Sequence, residues 1–312
     1  MAFETGTVTD YRDLLDKLHT FLLAEGWTIN DFNLGATLTD VSNLNVTGPG
    51  IVGGQQPNVS IQTEANSGAN AYAWKLCCHQ TYVSGRAFGT QPNNSPIHYF
   101  LLWPNTMTYW FYVNDRRFVV VAKIGVYYMS MYAGFFLPYA LPEEYPFPYF
   151  VGATTNQLLV YNAPDSGLRT FCDPGPGAAS YMARQNQGWQ SIVNANFAAN
   201  VVDSYSGAGD NGAVIWPFRN LQVEDDFQAS RDVAWSFFRL MRPLLNGVMP
   251  MFQLHILDAA NETLAGVLDG VFITGGFNRV PEQVVTVDTQ DYRLFINVNR
   301  NTPKHYFAME EL

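Results

Sequence analysis

Residues 109–128 have the sequence YWFYVNDRRFVVVAKIGVYY, which indicates the fold class more clearly than any other stretch of the chain. Two runs of β-branched and aromatic residues flank Asn114–Asp115, a pair that favours tight turns, so the stretch is predicted to form a β-hairpin. The second run contains the consecutive valines Val119–Val121. Because neighbouring side chains of a strand point to opposite faces, these valines predict a strand that is covered on both faces.

Further β-type runs lie on both sides of this hairpin, whereas the region 153–230 is rich in glycine- and proline-containing loops. A partial helical spacing at 227–245 ends by Pro243. We therefore predict a β-rich α+β protein, with antiparallel sheets arranged as a sandwich or barrel and an N-terminal amphipathic helix. The β-type runs are 59–61, 71–84, 251–258, 263–276, 282–300 and 304–312.

The chain is predicted to divide into three parts or to form one continuous domain. Residues 1–30 would hold the N-terminal helix. A β-rich lobe would follow at 31–155 and would carry a segment rich in proline and aromatic residues. A second β-rich lobe would span 156–312, after a weak seam near 153–170.

The N-terminal helix is predicted from residues 10–27 (DYRDLLDKLHTFLLAEGW), which place six apolar side chains at steps of three and four. Thr9 or Asp10 can cap its start, and Gly26 can end it. The resulting apolar stripe is expected to pack against a sheet or a neighbouring chain. It consists of Tyr11, Leu14, Leu15, Leu18, Phe21 and Leu22.

The composition limits the classes of partner. Of 312 residues only 14% are charged, and the net charge is −10. An average chain carries about 25% charged residues, so much of this surface is expected to be neutral and polar or covered by other subunits. No basic patch runs along the chain, which argues against nucleic acid as a partner. Arg116–Arg117, the densest basic pair, is expected at a solvated hairpin edge.

Residues 134–152 (GFFLPYALPEEYPFPYFVG) hold seven aromatic residues and four prolines but only two charges, Glu143 and Glu144. The prolines exclude a membrane-spanning helix, and we expect them to exclude a central strand as well. An ordered, extended loop with the glutamate pair at its most exposed point is predicted. Packing over the chain's own sheet and contact with another subunit both stay open, and one segment can do both. The predicted subunit-interface residues are Phe135, Phe136, Tyr139, Tyr145, Phe147, Tyr149 and Phe150.

The residues able to do chemistry show no recognised spacing. The five histidines and three cysteines do not pair with each other or with acidic residues as in a metal site or a catalytic triad. Cys77 and Cys78 would point to opposite faces of a strand, and buried, inert thiols are expected. The carboxylates expected to be solvated at turns or strand edges are Asp258, Asp269 and Asp288.

No catalytic residue, cofactor or metal ligand is therefore predicted, and we expect a protein that is not an enzyme. The glycine-rich stretch 207–212 (GAGDNG) lacks the lysine and hydroxyl of a phosphate-binding loop and is expected to be a flexible loop. The N-terminus lacks the basic and apolar regions of a secretory signal peptide, so the protein is expected in a reducing cytoplasm until it assembles.

Several blocks of the sequence resemble a family of virion structural proteins of tailed bacteriophages. Together the blocks cover about half of the chain, and the central one is the most specific. They are MAFETGTVTDYRDLLDKLHTFLLAEGW at 1–27, the block at 109–152, RPLLNGVMPMFQLHIL at 242–257, GVLDGVFITGGFN at 266–278 and HYFAMEEL at 305–312.

The resemblance implies a non-enzymatic virion component in the tail, tail tip or baseplate, present as a ring of identical copies. Its partners would be copies of itself and other virion structural proteins, and it would pass through the host cytoplasm during assembly. Two alternatives stay open. One is a neck or head-decoration protein. The other is a glycan-binding or glycan-degrading module of the adsorption apparatus, for which aromatic residues beside scattered acids are suited.

Overall fold

The structure is a computed structural model that describes residues 1–51, 54–158, 168, 170–172, 180–184, 188–192, 213–216, 250–258, 263–276, 278–296 and 306–311. The helical pattern predicted at 227–245 and the glycine-rich stretch 207–212 lie outside these residues. Across the described ranges the chain forms three antiparallel sheets, one α-helix and a short 3-10 turn at Ser67–Ala69. The predicted β-rich α+β class with an N-terminal amphipathic helix is confirmed.

The central sheet has seven strands, which we number along the chain together with those of the other sheets. In spatial order its strands are β1 (Ala2–Val8), β7 (Met107–Val113), β8 (Arg117–Ile124), β9 (Tyr127–Phe135), β11 (Tyr149–Gly152), β12 (Ser180–Arg184) and β13 (Gly188–Ser191).

The other two sheets lie on opposite faces of the central one. The N-terminal sheet contains, in spatial order, β2 (Thr28–Asn33), β3 (Asn43–Thr47), β4 (Asn58–Asn66), β5 (Ala71–His79) and β6 (His98–Leu102). The C-terminal sheet contains β14 (Ala213–Trp216), β15 (Met251–Asp258), β16 (Thr263–Thr274), β19 (Tyr306–Glu311), β18 (Gln290–Ile296) and β17 (Val284–Val287), and the two-residue strand β10 (Leu137–Pro138) pairs with β16.

Two hydrophobic cores separate these three layers. On one face of β8, Phe118 and Val120 pack in a core shared with the N-terminal sheet and the helix. On the other face, Val119 and Val121 pack in a core shared with the C-terminal sheet. All residues of β8 except Lys123 are buried. The prediction that this strand is covered on both faces is confirmed.

The predicted hairpin is formed by β7 and β8, which pair from Val113 opposite Phe118 outward. Asn114 closes its turn, because the side-chain Oδ1 accepts hydrogen bonds from the backbone N–H groups of Arg116 and Arg117 at 2.9 and 3.0 Å. This local bonding is the reason that asparagine is favoured in turns.

The helix α1 (Tyr11–Ala24) begins at its predicted cap, since the Asp10 side chain accepts hydrogen bonds from the backbone N–H groups of Arg12 and Asp13. The chain leaves it through Gly26, whose φ of +82° suits glycine. All six residues of the predicted apolar stripe are buried, and Phe21 stacks on Phe111 of the central sheet. The helix prediction is confirmed, whereas strand β1 before it was not predicted.

The basic pair in the hairpin does not lie at a solvated edge, so that prediction was wrong. Arg117 is fully buried and donates hydrogen bonds to the backbone oxygens of Asp269 and Tyr112 at 3.0 and 2.9 Å. Arg116 donates to the Asp269 carboxylate at 2.8 Å. Burial raises the pKa of Asp269, but the two guanidinium groups outweigh burial and hold its pKa below the usual value.

Two of the three carboxylates expected in solvent are buried instead. Asp258 and Asp269 are only 4% and 7% exposed, and Asp258 forms an ion pair with Arg184 at 2.7 Å. Their partners come from distant strands, which a local reading of the sequence does not reveal. Asp288 occupies the turn between β17 and β18 with a left-handed φ of 51°, as expected for a turn residue.

The division into residues 1–30, 31–155 and 156–312 stays a prediction. In the structure, β1 pairs with β7 and β11 pairs with β12, so strand pairing crosses both proposed boundaries. Within the ranges that the structure describes, no helix is both long enough and apolar enough to cross a membrane.

Candidate functional site

The segment 134–152 is the candidate functional site, and it is not a single extended loop. Its first residues complete β9, Leu137–Pro138 forms β10, and Tyr149–Gly152 forms β11 between β9 and β12 of the central sheet. The expectation that proline excludes a central strand was therefore wrong. The four prolines lie in the connection and in the short β10, and β11 begins directly after the last of them, Pro148.

We call Phe135, Phe136, Tyr149 and Phe150 the anchored ends of the segment, since all four side chains are fully buried. Phe135 and Tyr149 meet with ring centroids 4.6 Å apart in the core beneath the N-terminal sheet. Phe150 contacts Tyr132 at 5.2 Å in the opposite core, which Phe136 also joins. The segment thus fills both cores at once.

The Tyr149 hydroxyl gives this anchor a polar component. It donates a hydrogen bond to the His79 backbone oxygen at 2.6 Å and accepts one from the Asn58 backbone N–H at 2.8 Å. The central sheet is thereby joined to strands β4 and β5 of the N-terminal sheet. Burial raises the pKa of Tyr149 far above its ordinary value, so the hydroxyl keeps its proton.

Residues 137–144, which we call the outer tip, leave the core. Tyr139 and Leu141 are 54% and 63% exposed. Glu143 and Glu144 are exposed as well, so the pair predicted as the most exposed point shares its exposure with Tyr139 and Leu141. Hydrogen bonds nevertheless fix the tip: Tyr139 N–H donates to Ala265 O at 3.0 Å, and Glu144 N–H donates to Leu141 O at 2.9 Å.

Tyr139 is also held through its side chain. Its hydroxyl lies 3.0 Å from His255 Nδ1, within hydrogen-bonding distance. Burial lowers the pKa of His255, which favours the neutral imidazole at neutral pH. The exposed ring is therefore presented in one orientation.

The seven predicted interface residues separate into two groups. Five of them, Phe135, Phe136, Tyr145, Tyr149 and Phe150, are at most 6% exposed and offer almost no surface to a second subunit. Their burial within the chain corrects the expectation that all seven are available for contact. Tyr139 is exposed and Phe147 is half-buried, so these two are the members that a partner can reach.

Phe147 borders two surface clefts. Tyr145 and Tyr149, two more of the predicted interface residues, also line one of them, whereas the other lining residues were not predicted. They include Gln80, Asn93 and Trp189, which come from separate parts of the chain. No local sequence pattern marks these residues. They come together only because β13 and the loops after β5 pack beside the segment 134–152.

Three buried titratable side chains of the described residues have pKa values that burial shifts away from neutral pH. Burial lowers the pKa of His79 to about 4 and that of His98 to about 3, and it raises the pKa of Cys77 to about 12. All three groups are therefore neutral at neutral pH. Among the residues that the structure describes, no three His, Cys, Asp or Glu side chains cluster as metal ligands.

Comparison with known proteins gives no match: no family model and no curated protein matches the sequence. The resemblance to tailed-phage virion proteins therefore stays a prediction.

Proposed function

We propose that the protein is a non-enzymatic structural component of a tailed-phage virion and assembles as a ring of copies in the tail or baseplate. The observation that carries this proposal is the outer tip, where Tyr139 and Leu141 are exposed on a backbone fixed by hydrogen bonds. The blocks of sequence that resemble tailed-phage proteins support the virion context.

The tip has the properties of a permanent contact. Aromatic and apolar side chains are enriched at the centres of lasting interfaces. A contact loop that is already ordered loses less conformational entropy when it binds, which favours association. The anchored ends supply that order, because the segment enters and leaves the outer tip through buried strands.

The contact is made between copies of this chain, and a paired substitution tests it. In Tyr139→Ser/Leu141→Ser, the two exposed apolar side chains are removed while the anchored ends stay intact. The matched control is Leu23→Ser/Val41→Ser, which removes two side chains that are 57% and 51% exposed elsewhere. Light scattering after size-exclusion chromatography and negative-stain microscopy should show rings for the wild type and the control but smaller species for the tip variant.

Rings formed equally well by the tip variant would show that the outer tip is not the contact. The virion context is tested separately, by mass spectrometry and antibody labelling of purified particles of the phage that carries the gene. Labelling should mark the tail or baseplate. Labelling of the neck or head would correct the location, and absence from the particle would overturn the virion role.

A further inference from the structure

We propose that the two clefts beside Phe147 form one binding groove for a neutral oligosaccharide. The first cleft has a volume of about 570 Å³ and the second about 460 Å³. Gln80 and Phe147 line both, so the clefts are neighbouring parts of one surface. Each volume lies within the range of about 300–1,000 Å³ that is typical of small-molecule sites. Two adjoining clefts suit a chain of linked sugar rings better than a single compact ligand.

Amides make up most of the polar lining of the first cleft, and two of them, Asn30 and Asn58, are held in place by hydrogen bonds. Asn58 is buried, and its Oδ1 accepts a hydrogen bond from Thr47 Oγ1, which in turn accepts one from Asn30 Nδ2, both at 2.7 Å. Asn58 Nδ2 donates to the backbone oxygens of Gln56 and Gln80 at 3.2 Å. The floor of the cleft is thus ordered before any ligand arrives.

Gln80 lines both clefts, and its side-chain amide can still form hydrogen bonds with a ligand. Its Oε1 accepts a hydrogen bond from Asn93 Nδ2, whereas its Nε2 has no partner among the described residues. The Gln55 side chain, which lines the first cleft, is likewise without a partner within those ranges. Amides both donate and accept, and so do sugar hydroxyls, which makes the two groups well matched.

Aromatic side chains supply the complementary apolar surface. The half-buried Phe147 ring lies parallel to the buried Tyr149 ring, with 3° between the planes and 6.4 Å between centroids. Trp189 contacts Tyr149 at 5.7 Å, and its indole Nε1 donates a hydrogen bond to the Asn93 backbone oxygen at 2.9 Å. Fixed aromatic faces of this kind pack against the C–H faces of sugar rings.

The charge and polarity of the residues that line the clefts argue against other classes of ligand. Among the described lining residues, Arg184 alone carries a charge, and it is paired with Asp258 at 2.7 Å. Phosphates and nucleic acids require unneutralised Lys or Arg side chains, and the chain as a whole carries a net charge of −10. A purely apolar ligand would bury the amides without partners, which is costly. A neutral saccharide can form hydrogen bonds with the amides and can also pack against the aromatic rings.

The test uses the full-length protein on an array that holds neutral oligosaccharides of glucose, galactose and N-acetylglucosamine beside sulfated and sialylated glycans. Calorimetric titration with the best-bound neutral member follows. Phe147→Ala should weaken its binding about tenfold, the loss expected when one aromatic contact is removed. Gln80→Leu preserves the size of the side chain but removes the amide, and it should weaken binding as well. Tyr292→Ala is the matched control, because it removes a half-buried aromatic ring from the C-terminal sheet, outside both clefts and outside the outer tip.

Thermal melting of each variant confirms that it is folded before binding is measured. Absence of binding to every neutral oligosaccharide would overturn the proposal, as would binding confined to sulfated or sialylated glycans. Binding that survives both Phe147→Ala and Gln80→Leu would place the saccharide elsewhere and overturn it too. The ring of copies is tested through Tyr139 and Leu141, so failure of either proposal leaves the other standing.

Discussion

The anchored ends and the outer tip belong to one short segment with a uniform composition, yet they occupy opposite environments. Phe135, Phe136, Tyr149 and Phe150 have no exposed surface, whereas Tyr139 and Leu141, a few residues away, are more than half exposed. The difference follows from strand pairing. Phe135, Tyr149 and Phe150 pair within the central sheet, between two covering layers, whereas Tyr139 and Leu141 lie in the connection between β9 and β11.

This contrast shows that an apolar, proline-rich composition does not by itself specify burial. The same residue types supply core packing where the backbone enters the sheet and accessible surface where it leaves. The same substitution made in the two regions should therefore change the stability of the protein by different amounts. Matched pairs of variants measure this difference.

The largest difference is expected between Phe150→Ala and Tyr139→Ala. Phe150 packs against Tyr132 and Phe171 with no exposed surface, so its truncation leaves a cavity and should lower the free energy of unfolding by about 3–5 kcal/mol. Tyr139→Ala should change it by less than about 0.5 kcal/mol. Urea denaturation of both variants measures the difference, and similar losses would show that the outer tip is part of the core.

A second pair of variants tests the hydrogen bonds of the Tyr149 hydroxyl in the anchored ends. Tyr149→Phe removes one hydroxyl and leaves the Asn58 N–H and the His79 oxygen without that partner, which should cost about 1–3 kcal/mol. Tyr139→Phe removes a hydroxyl of the same type at the exposed tip and should have almost no effect on stability. If Tyr149→Phe were as stable as the wild type, the link between the two sheets would depend on ring packing alone.

A third test concerns the buried His98 in the core beneath the anchored ends. It asks whether this side chain stays unprotonated in the folded protein. His98 is fully buried, neither ring nitrogen has a hydrogen-bond partner among the described residues, and burial lowers its pKa to about 3. Because the unfolded pKa is about 6.5, the unfolded state takes up the proton first. Stability should be complete above that pH and fall as the pH decreases toward 3. The loss from this one group is on the order of 1 kcal/mol at pH 5.5.

His98→Leu should reduce the difference in unfolding free energy between pH 7.5 and pH 5.5 by that amount. His255→Gln, which alters the histidine beside the outer tip, should reduce it less because His255 is partly exposed. Equal pH dependence in the wild type and His98→Leu would mean that the folded protein accommodates a charged His98.

The smallest effect on stability is expected for Tyr139→Ser/Leu141→Ser, whose unfolding free energy should stay within about 0.5 kcal/mol of the wild type. Its proposed effect is on assembly instead. Thermal melting beside light scattering separates the two quantities. A large loss of stability would show that the outer tip supports the fold and would remove the contrast between the two regions.

The features that were predicted correctly depend on neighbouring residues. The stripe from Tyr11 to Leu22, the Asp10 cap and the turn at Asn114 each follow from spacing or bonding within a few positions. The three valines of β8 predicted burial on both faces because they are adjacent. Such features are determined locally and survive in almost any tertiary context.

The features that were missed depend on pairs far apart in the chain. Strand β1 was missed because its pairing partner β7 lies about a hundred residues away. Arg117 is buried because Asp269, 152 residues later, accepts its hydrogen bond. Trp189 of β13 and Gln80, which follows β5, reach the same cleft from distant parts of the chain. The prolines suggested a loop, but the central position of β11 is set by β9 and β12 on either side of it.

Arg117 also has a consequence for synthesis of the chain. Arg117 is added to the growing chain 152 residues before its acceptor, Asp269. At about 5–20 residues per second, that interval lasts roughly 8–30 s on a ribosome. Until then the face carrying Val119 and Val121 has no C-terminal sheet to cover it, and the Arg117 guanidinium at one end of that face has no buried acceptor from that sheet. We therefore expect the charge that is costly to bury in the finished protein to make the half-made chain less prone to aggregate.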